Sequence, residues 1–134
     1  MSSRTVFVFG SNEAGIHGAG AALEAFKNHG AVIGKGFGHY DNYPKSSSFA
    51  IPTKDMDLMT LPLEIIQDYV KIFLRYATIH KKLTFKVTCI GCGLAGLNHE
   101  AMARLFKDAP KNCQFDELWK PYLGPDKTYW GTYG

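Results

Sequence analysis

Hydrophobic residues along the chain form strand-type runs separated by helix-type patterns. Residues 5–9, "TVFVF", are β-branched or aromatic throughout and predict a strand buried on both faces. Further strand-type runs are "SFAIP" at 48–52, "TFKVTCI" at 84–90 and "CQFDEL" at 113–118, and "AVI" at 31–33 suggests a short strand. These runs are too far apart to pair as simple hairpins, which points to connections through helices.

Three segments between the strands have helical spacing. The clearest is 61–81, where Pro62 suits the first turn and one face carries Ile66, Tyr69, Val70, Phe73 and Ala77. The others are 21–29, ended by Gly30, and 98–106, with Asn98 as the N-cap. Strands alternating with helices predict an α/β fold, with a largely parallel sheet covered by helices on both faces.

Composition indicates one ordinary domain. The chain has 134 residues, 46% of them apolar, so we expect a single domain over 1–134 with an aromatic tail, 120–134, lying on the surface. The net charge is +3, and the longest basic run is Lys81-Lys82, which gives little support for nucleic-acid binding. Three cysteines, no signal-peptide pattern and no long apolar run predict a soluble cytoplasmic protein with no disulfide framework and no membrane partner.

Two glycine-rich loops follow predicted strands. The first, residues 10–20, reads "GSNEAGIHGAG", and the second, residues 91–96, reads "GCGLAG". In open α/β sheets, ligands bind beyond the carboxyl ends of the strands, where both loops lie. Bare glycine backbone lets amides approach a phosphate, and a following helix N-terminus favours an anion. The loops therefore suggest a phosphate site, although a glycine turn without ligand remains the alternative.

The second loop also matches three other motifs. It fits G-x-G-x-x-G, and Asp116 lies about 20 residues on, where a dinucleotide-binding acid would stand. However, too little chain follows Gly96 for the long βαβαβ unit that this motif normally begins. Cys89 and Cys92 form C-x-x-C, but Cys89 belongs to the strand pattern, and Cys113 is a single further cysteine. A redox pair or a zinc site is therefore disfavoured.

A few side chains near these loops could carry chemistry. Asn12 follows a strand end, where its amide could hold a ribose hydroxyl or form a local turn. His17 is a candidate base, or else a capping or surface histidine. Lys54 ends the strand "SFAIPTK" and could be a nucleophile if desolvated, or a solvated loop lysine. Asp55, its neighbour, is a candidate carboxylate or a surface charge.

Three separated stretches together resemble the macrodomain superfamily of ADP-ribose-binding modules. They are "FGSNEAGIHGAGAALEAF", "SFAIPTKD" and "FKVTCIGCGLAGLNHEAMARLF", and the resemblance runs from Thr5 to Asp108. It is similar in order and spacing to a bacterial and phage macrodomain-like group, and to the branch that removes ADP-ribose from acidic side chains. The resemblance implies a three-layer α/β/α sandwich with a mixed, largely parallel sheet, and ADP-ribose bound at the strand carboxyl ends.

The resemblance also implies functions for individual positions. It implies that Lys54 attacks the ribose anomeric carbon, but the Asp expected to resolve the adduct is replaced by Ala95, so Asp55 and His17 are the candidates to substitute. The acid that would recognise adenine near the chain start is absent from 4–10. No cofactor or metal is expected. The expected ligand-binding residues are Gly10, Ser11, Asn12, His17, Gly18, Ala19, Gly20, Gly91, Cys92, Gly93, Leu94, Ala95 and Gly96.

The sequence therefore predicts binding of ADP-ribose or a related NAD-derived nucleotide, with hydrolysis of an ADP-ribosyl linkage left open. The partners could include an ADP-ribosylated protein or a nucleic acid. The alternative is a nucleic-acid or protein-binding module without catalytic activity, which would use the tail aromatics, because bases stack on such rings. These aromatics are Tyr122, Tyr129, Trp130 and Tyr133.

Overall fold

The computed structural model describes residues 4–133. Its strands are β1 (Arg4–Asn12), β2 (Gly38–Tyr40), β3 (Ser47–Lys54), β4 (Leu83–Val87), β5 (Cys113–Asp116) and β6 (Thr128–Gly131). Its helices are α1 (Gly20–Asn28), α2 (Leu63–Ile79), α3 (His99–Arg104) and α4 (Lys120–Leu123), and a 3-10 turn spans Glu117–Trp119.

The six strands form one mixed sheet in the order β2-β3-β1-β4-β5-β6. Neighbouring strands are parallel from β3 to β6, and β2 is antiparallel to β3. The prediction of a mixed, largely parallel sheet is confirmed. Every parallel strand therefore ends at the same edge of the sheet, and the loops that follow them meet there.

Two hydrophobic cores lie on opposite faces of the sheet. Successive side chains of a strand point to opposite faces, so in β1 the residues Phe7 and Phe9 pack with Ala22 and Ala25 of α1, whereas Val6 faces the larger core. That larger core includes the buried face of α2, formed by Ile66, Val70, Phe73 and Ala77, each fully buried. Helices therefore cover both faces, as the three-layer prediction requires.

The edges of the sheet differ from the sequence prediction. Residues 31–33 are not a strand, and Val32 and Ile33 are exposed. The segment 34–48 contains β2, for which the sequence pattern gave no strand, and the start of β3. Short edge strands carry little periodicity of their own, because their conformation depends on the strand beside them.

Part of the aromatic tail forms regular secondary structure. Residues 120–123 form α4, and β6 pairs in parallel with β5, which adds a strand to the sheet. Trp130 secures this edge, because its indole Nε1 donates to the carbonyl of Val87 at 3.0 Å. None of the helices within residues 4–133 is long and apolar enough to span a membrane.

Candidate ligand-binding cleft

A cleft of about 450 Å³ lies where the carboxyl ends of β1, β3, β4 and β5 meet. The two glycine-rich loops form its opposite walls. It is lined by Gly10, Ser11, Asn12, Ile16, Gly18, Ala19, Gly20, Ala21, Ala22, Thr53, Lys54, Leu58, Thr88, Cys89, Ile90, Gly91, Cys92, Gly93, Leu94, Ala95, His99, Asp116, Leu118 and Tyr133. Its volume is within the range of small-molecule sites.

The first loop is shaped by the side chain of Asn12. Its Oδ1 accepts from the backbone N–H of Ile16 at 3.0 Å, and its Nδ2 donates to the carbonyl of Ile16 at 2.8 Å. Both ends of the amide are therefore used within the loop. Asn12 lines the cleft, but it acts there by closing a turn, which was the alternative to ribose contact at the sequence level.

The first loop leads into an uncapped helix N-terminus. Ala19 is the N-cap of α1 and offers no side-chain hydrogen bond, and the first turn holds no acidic residue. Gly18, Ala19 and Gly20 are exposed and line the cleft. The amides of the first turn have no partner inside the helix, so this wall attracts a negatively charged group.

The second loop consists of two successive tight turns. The amide of Cys92 donates to Cys89 at 3.1 Å, and that of Gly96 donates to Gly93 at 3.0 Å. Across residues 4–133 no group accepts a hydrogen bond from the amides of Gly93, Leu94 or Ala95. This wall therefore presents a second set of free donors to the cleft.

Two glycines of the second loop have different physical requirements. Gly91 has φ +79°, and a Cβ there would lie 2.7 Å from Cδ1 of Leu97, so both its conformation and its packing require glycine. Gly93 does not have a positive φ, and a Cβ there would have no atom within 4 Å. Gly91 is therefore needed for folding, whereas Gly93 leaves room in the cleft.

Lys54 lies at one end of the cleft, beside Ala95. It pairs with Asn12 across β1 and β3 and forms an isolated bridge with Thr60. The hydroxyl of Thr60 donates to the carbonyl of Ala95 at 3.1 Å, which ties the second loop to the end of β3. Among the lining residues within 4–133, the only carboxylate is Asp116, which is part of β5.

Asp55 does not line the cleft. Its Oδ1 accepts from the amides of Asp57 at 2.8 Å and Met59 at 3.0 Å. The carboxylate therefore holds together the turn that follows β3. The structure does not place Asp55 in the cleft, although Asp55 is next to Lys54 in the sequence.

His17 belongs to the first loop, but its side chain is buried and does not line the cleft. It is 2% exposed, with Nε2 donating to the carbonyl of Val32 at 2.9 Å and Nδ1 lying 3.4 Å from Oγ of Ser11. Its ring packs edge-on against Phe9. Burial lowers the pKa of His17, so the neutral ring is favoured. The geometry gives His17 a structural function in the loop. It is neither the helix cap nor the surface histidine that was the alternative at the sequence level, because its side chain is buried and Ala19 is the N-cap of α1.

The far end of the cleft is built by Asp116 and Tyr133. Asp116 is 1% exposed, and its carboxylate accepts from the amides of Leu118 at 2.9 Å and Tyr133 at 3.1 Å and from the hydroxyl of Thr132 at 3.1 Å. The hydroxyl of Tyr133 donates to the carbonyl of Gly20 at 3.2 Å, joining the tail to α1. The tail thus forms a wall of the cleft.

The cysteine thiols in the cleft are poor nucleophiles. Burial raises the pKa of Cys89 to about 12 and that of Cys92 to about 11, so both are protonated near neutral pH. Within residues 4–133 no group of three or more His, Cys, Asp or Glu is arranged to hold a metal ion. The C-x-x-C motif therefore serves the geometry of the turn.

The predicted and observed linings overlap at the two loops. Of the expected ligand-binding positions, His17 and Gly96 lie outside the lining, and Gly10, Ser11, Asn12, Gly18, Ala19, Gly20, Gly91, Cys92, Gly93, Leu94 and Ala95 lie in it. The lining residues that the sequence did not predict are Ile16, Ala21, Ala22, Thr53, Leu58, Thr88, Cys89, Ile90, His99, Asp116, Leu118 and Tyr133. Asp116 had one signal, its spacing from the second glycine loop, and Tyr133 was named only among the tail aromatics of the nucleic-acid alternative.

Comparisons with known proteins identify the fold. No protein-family model matches the sequence, and no curated protein matches it either. Among solved structures, the macrodomain of Mycobacterium tuberculosis DarG superposes with a TM-score of 0.63 at 18% identity, covering 81% of this chain and 84% of that one. The chain has the macrodomain fold.

Two further macrodomain structures superpose on the chain. The macrodomain of Thermus aquaticus DarG gives a TM-score of 0.58 at 16% identity, covering 100% of this chain and 91% of that one. Thermosipho africanus DarTG, solved in complex with ADP-ribose, gives 0.61 at 14% identity, covering 90% of this chain and 42% of that one. The macrodomain fold implied by the resemblance of three sequence stretches is thus confirmed.

Proposed function

We propose that this chain binds ADP-ribose, or a closely related NAD-derived nucleotide, in the cleft between the two glycine-rich loops. One observation carries the proposal: the two walls of a cleft of about 450 Å³ both offer backbone N–H groups, one set at the N-terminus of α1 and the other at residues 93–95. A diphosphate placed between them receives donors from both sides.

The dimensions and the fold support this ligand class. Drug-sized ligands occupy sites of roughly 300–1,000 Å³, which suits a dinucleotide-like molecule lying along the cleft. The macrodomain fold is shared with a DarTG structure that contains ADP-ribose. The end near Tyr133 and Leu118 offers apolar surface for a base, and the end near Lys54 is left for the distal ribose.

Calorimetric titration tests the binding. We expect ADP-ribose to release heat with a 1:1 stoichiometry, and we expect ADP and ribose 5-phosphate to bind more weakly, because each makes part of the contacts. Absence of both heat and thermal stabilisation at millimolar ADP-ribose would reject the proposal.

Hydrolysis of an ADP-ribosyl linkage is a second candidate, supported by the position of Lys54. Lys54 lines the cleft at the end where the anomeric carbon of a distal ribose would lie. Ala95 faces the same end, so no carboxylate from the second loop can resolve a lysine adduct. More residues of the cleft therefore support the proposal of binding than support the proposal of catalysis.

Release of ADP-ribose from an ADP-ribosylated protein tests this candidate. We compare the wild type with Lys54→Ala and, as a control, Lys35→Ala, which changes a lysine that does not line the cleft. Release by the wild type and by Lys35→Ala, but not by Lys54→Ala, supports a lysine mechanism. Equal release by all three excludes it.

The alternative of nucleic-acid binding through the tail is weakened by the contacts of its aromatic side chains. Trp130 donates to Val87, the hydroxyl of Tyr129 donates to Gly124, and Tyr133 donates to Gly20. These side chains hold β6 and the cleft wall together, which leaves them less free to stack on bases. Titration with single-stranded DNA and RNA is the matching control.

A further inference from the structure

One imidazole in the cleft is held in a defined tautomer. His99 lies at the start of α3, directly after the second glycine loop, and lines the cleft. The indole Nε1–H of Trp119 donates to its Nδ1 at 3.2 Å. An indole N–H can only donate, so Nδ1 of His99 accepts and the ring proton lies on Nε2.

Trp119 makes this arrangement rigid. Its side chain is fully buried and packs against Phe106 and Phe115, with ring centroids 5.5 Å and 6.3 Å away. The indole therefore cannot turn away from His99 without disturbing the core. Because Trp119 fixes the ring of His99, little conformational freedom is lost when Nε2–H binds a ligand. This favours a ligand-binding function for His99.

The remaining nitrogen of His99 is free to meet a ligand. Its Nε2 makes no hydrogen bond within residues 4–133, and it is not among the buried polar atoms that lack a partner there. The ring itself is only half-buried. Nε2–H is therefore a donor on a side chain that lines the cleft.

The position of His99 also indicates which part of a ligand it meets. Through Trp119 it belongs to the segment that contains Leu118 and Asp116, at the Tyr133 end of the cleft. Lys54 and Ala95 form the other end through Thr60. Strands β1 and β4 lie between β3 and β5 in the sheet. An ADP-ribose lying along the cleft would therefore place its distal ribose at the Lys54 end and its nucleotide half at the Tyr133 end.

We propose that His99 donates a hydrogen bond from Nε2 to an oxygen acceptor on the nucleotide half of the ligand, either a phosphate or a ribose oxygen next to it. The inference rests on the proposed binding of ADP-ribose and names a specificity-determining residue for that site. Asn98, the residue before it, caps α3 through its own side chain, accepting from Ala101 at 3.0 Å, and so fixes where the helix begins.

Calorimetry with His99→Ala, His99→Gln and a matched control, His80→Ala, tests the inference. His80 is exposed and lies outside the cleft. Because one hydrogen bond is lost, we expect His99→Ala to weaken ADP-ribose and ADP by the same factor, about 3- to 10-fold if the acceptor is a ribose oxygen and about 10- to 150-fold if it is a phosphate. His80→Ala should match the wild type for every ligand.

The glutamine variant separates donation from packing. The amide nitrogen of glutamine can occupy the place of Nε2, so His99→Gln should retain an affinity within about twofold of the wild type. If His99→Gln is as weak as His99→Ala, the inference is overturned. Unchanged ADP-ribose affinity in His99→Ala overturns it as well. Failure of the wild type to bind ADP-ribose would instead reject the proposed function.

Discussion

Replacing Gly93 by aspartate tests the phosphate-binding hypothesis most directly. Gly93 is exposed, its φ is not positive, and a Cβ there would meet no atom within 4 Å. The substitution should therefore fold normally. It would, however, place a carboxylate beside the free amides of the second loop, where we propose that a phosphate binds.

The expected loss follows from Coulomb's law. Two like charges about 4 Å apart repel by about 1 kcal/mol in bulk water and about 4 kcal/mol near a protein surface with an effective dielectric constant of about 20. This repulsion corresponds to an ADP-ribose affinity that is lower by about fivefold to several hundredfold. The loss should shrink in high salt, because Gly93 is exposed and screening acts there.

Gly93→Asn is the matched control, because asparagine has the shape of aspartate without its charge. We expect calorimetry to show a much smaller loss for Gly93→Asn, and thermal unfolding to show both variants close to the wild type. Equal losses for the two variants would refute the electrostatic argument and indicate steric blocking. Wild-type affinity in Gly93→Asp would show that the phosphates lie elsewhere.

Three further predictions concern other parts of the site. Asp116→Ala should lower the free energy of unfolding by about 2–4 kcal/mol in urea titrations, because buried donors lose a charged acceptor, and equal midpoints would contradict this. Burial lowers the pKa of His17, His29 and His39, so the unfolded chain binds protons that the folded chain does not, and stability should fall as the pH drops below 6.5. In thermal melts, the melting temperature of His17→Gln should depend less steeply on pH than that of the wild type. An equal pH dependence in the two proteins would contradict the prediction for His17. Ala95→Asp should raise the rate at which ADP-ribose is released from an ADP-ribosylated protein. Adding Lys54→Ala to this variant should abolish the increase. If Ala95→Asp does not raise the rate, the hypothesis that Lys54 is a nucleophile lacking only its carboxylate partner is rejected.

The central elements of the fold follow from local patterns in the sequence. In β1, "VFVF" is apolar at every position because the strand is covered on both faces, and the structure buries all four side chains. Helix α2 shows the same agreement, since four of the five residues expected on its inner face are fully buried and Tyr69 is half-buried. Its predicted ends, 61 and 81, lie two residues beyond the observed Leu63 and Ile79.

The edges of the sheet could not be predicted in the same way. Residues 128–131 form a strand because β5 pairs with them. Two further hydrogen bonds hold this segment, one from the indole of Trp130 to the carbonyl of Val87 and one from the amide of Tyr133 to the carboxylate of Asp116. Conversely, 31–33 has strand-type residues but finds no partner strand in the described part of the chain. Strand formation at an edge depends on a neighbour, and the neighbour is distant in sequence.

The sequence by itself determined the α/β alternation and the two glycine-rich loops at the strand ends. These features depend on local periodicity and on the backbone freedom of glycine, which a short stretch of sequence contains. Only the tertiary structure decided which polar side chains face the cleft. His17 and Asp55 make hydrogen bonds within the protein and do not line the cleft. His99, Asp116 and Tyr133, which belong to three separate segments, do line it. The direction of a side chain depends on packing partners far along the chain, and these form only when the sheet is assembled.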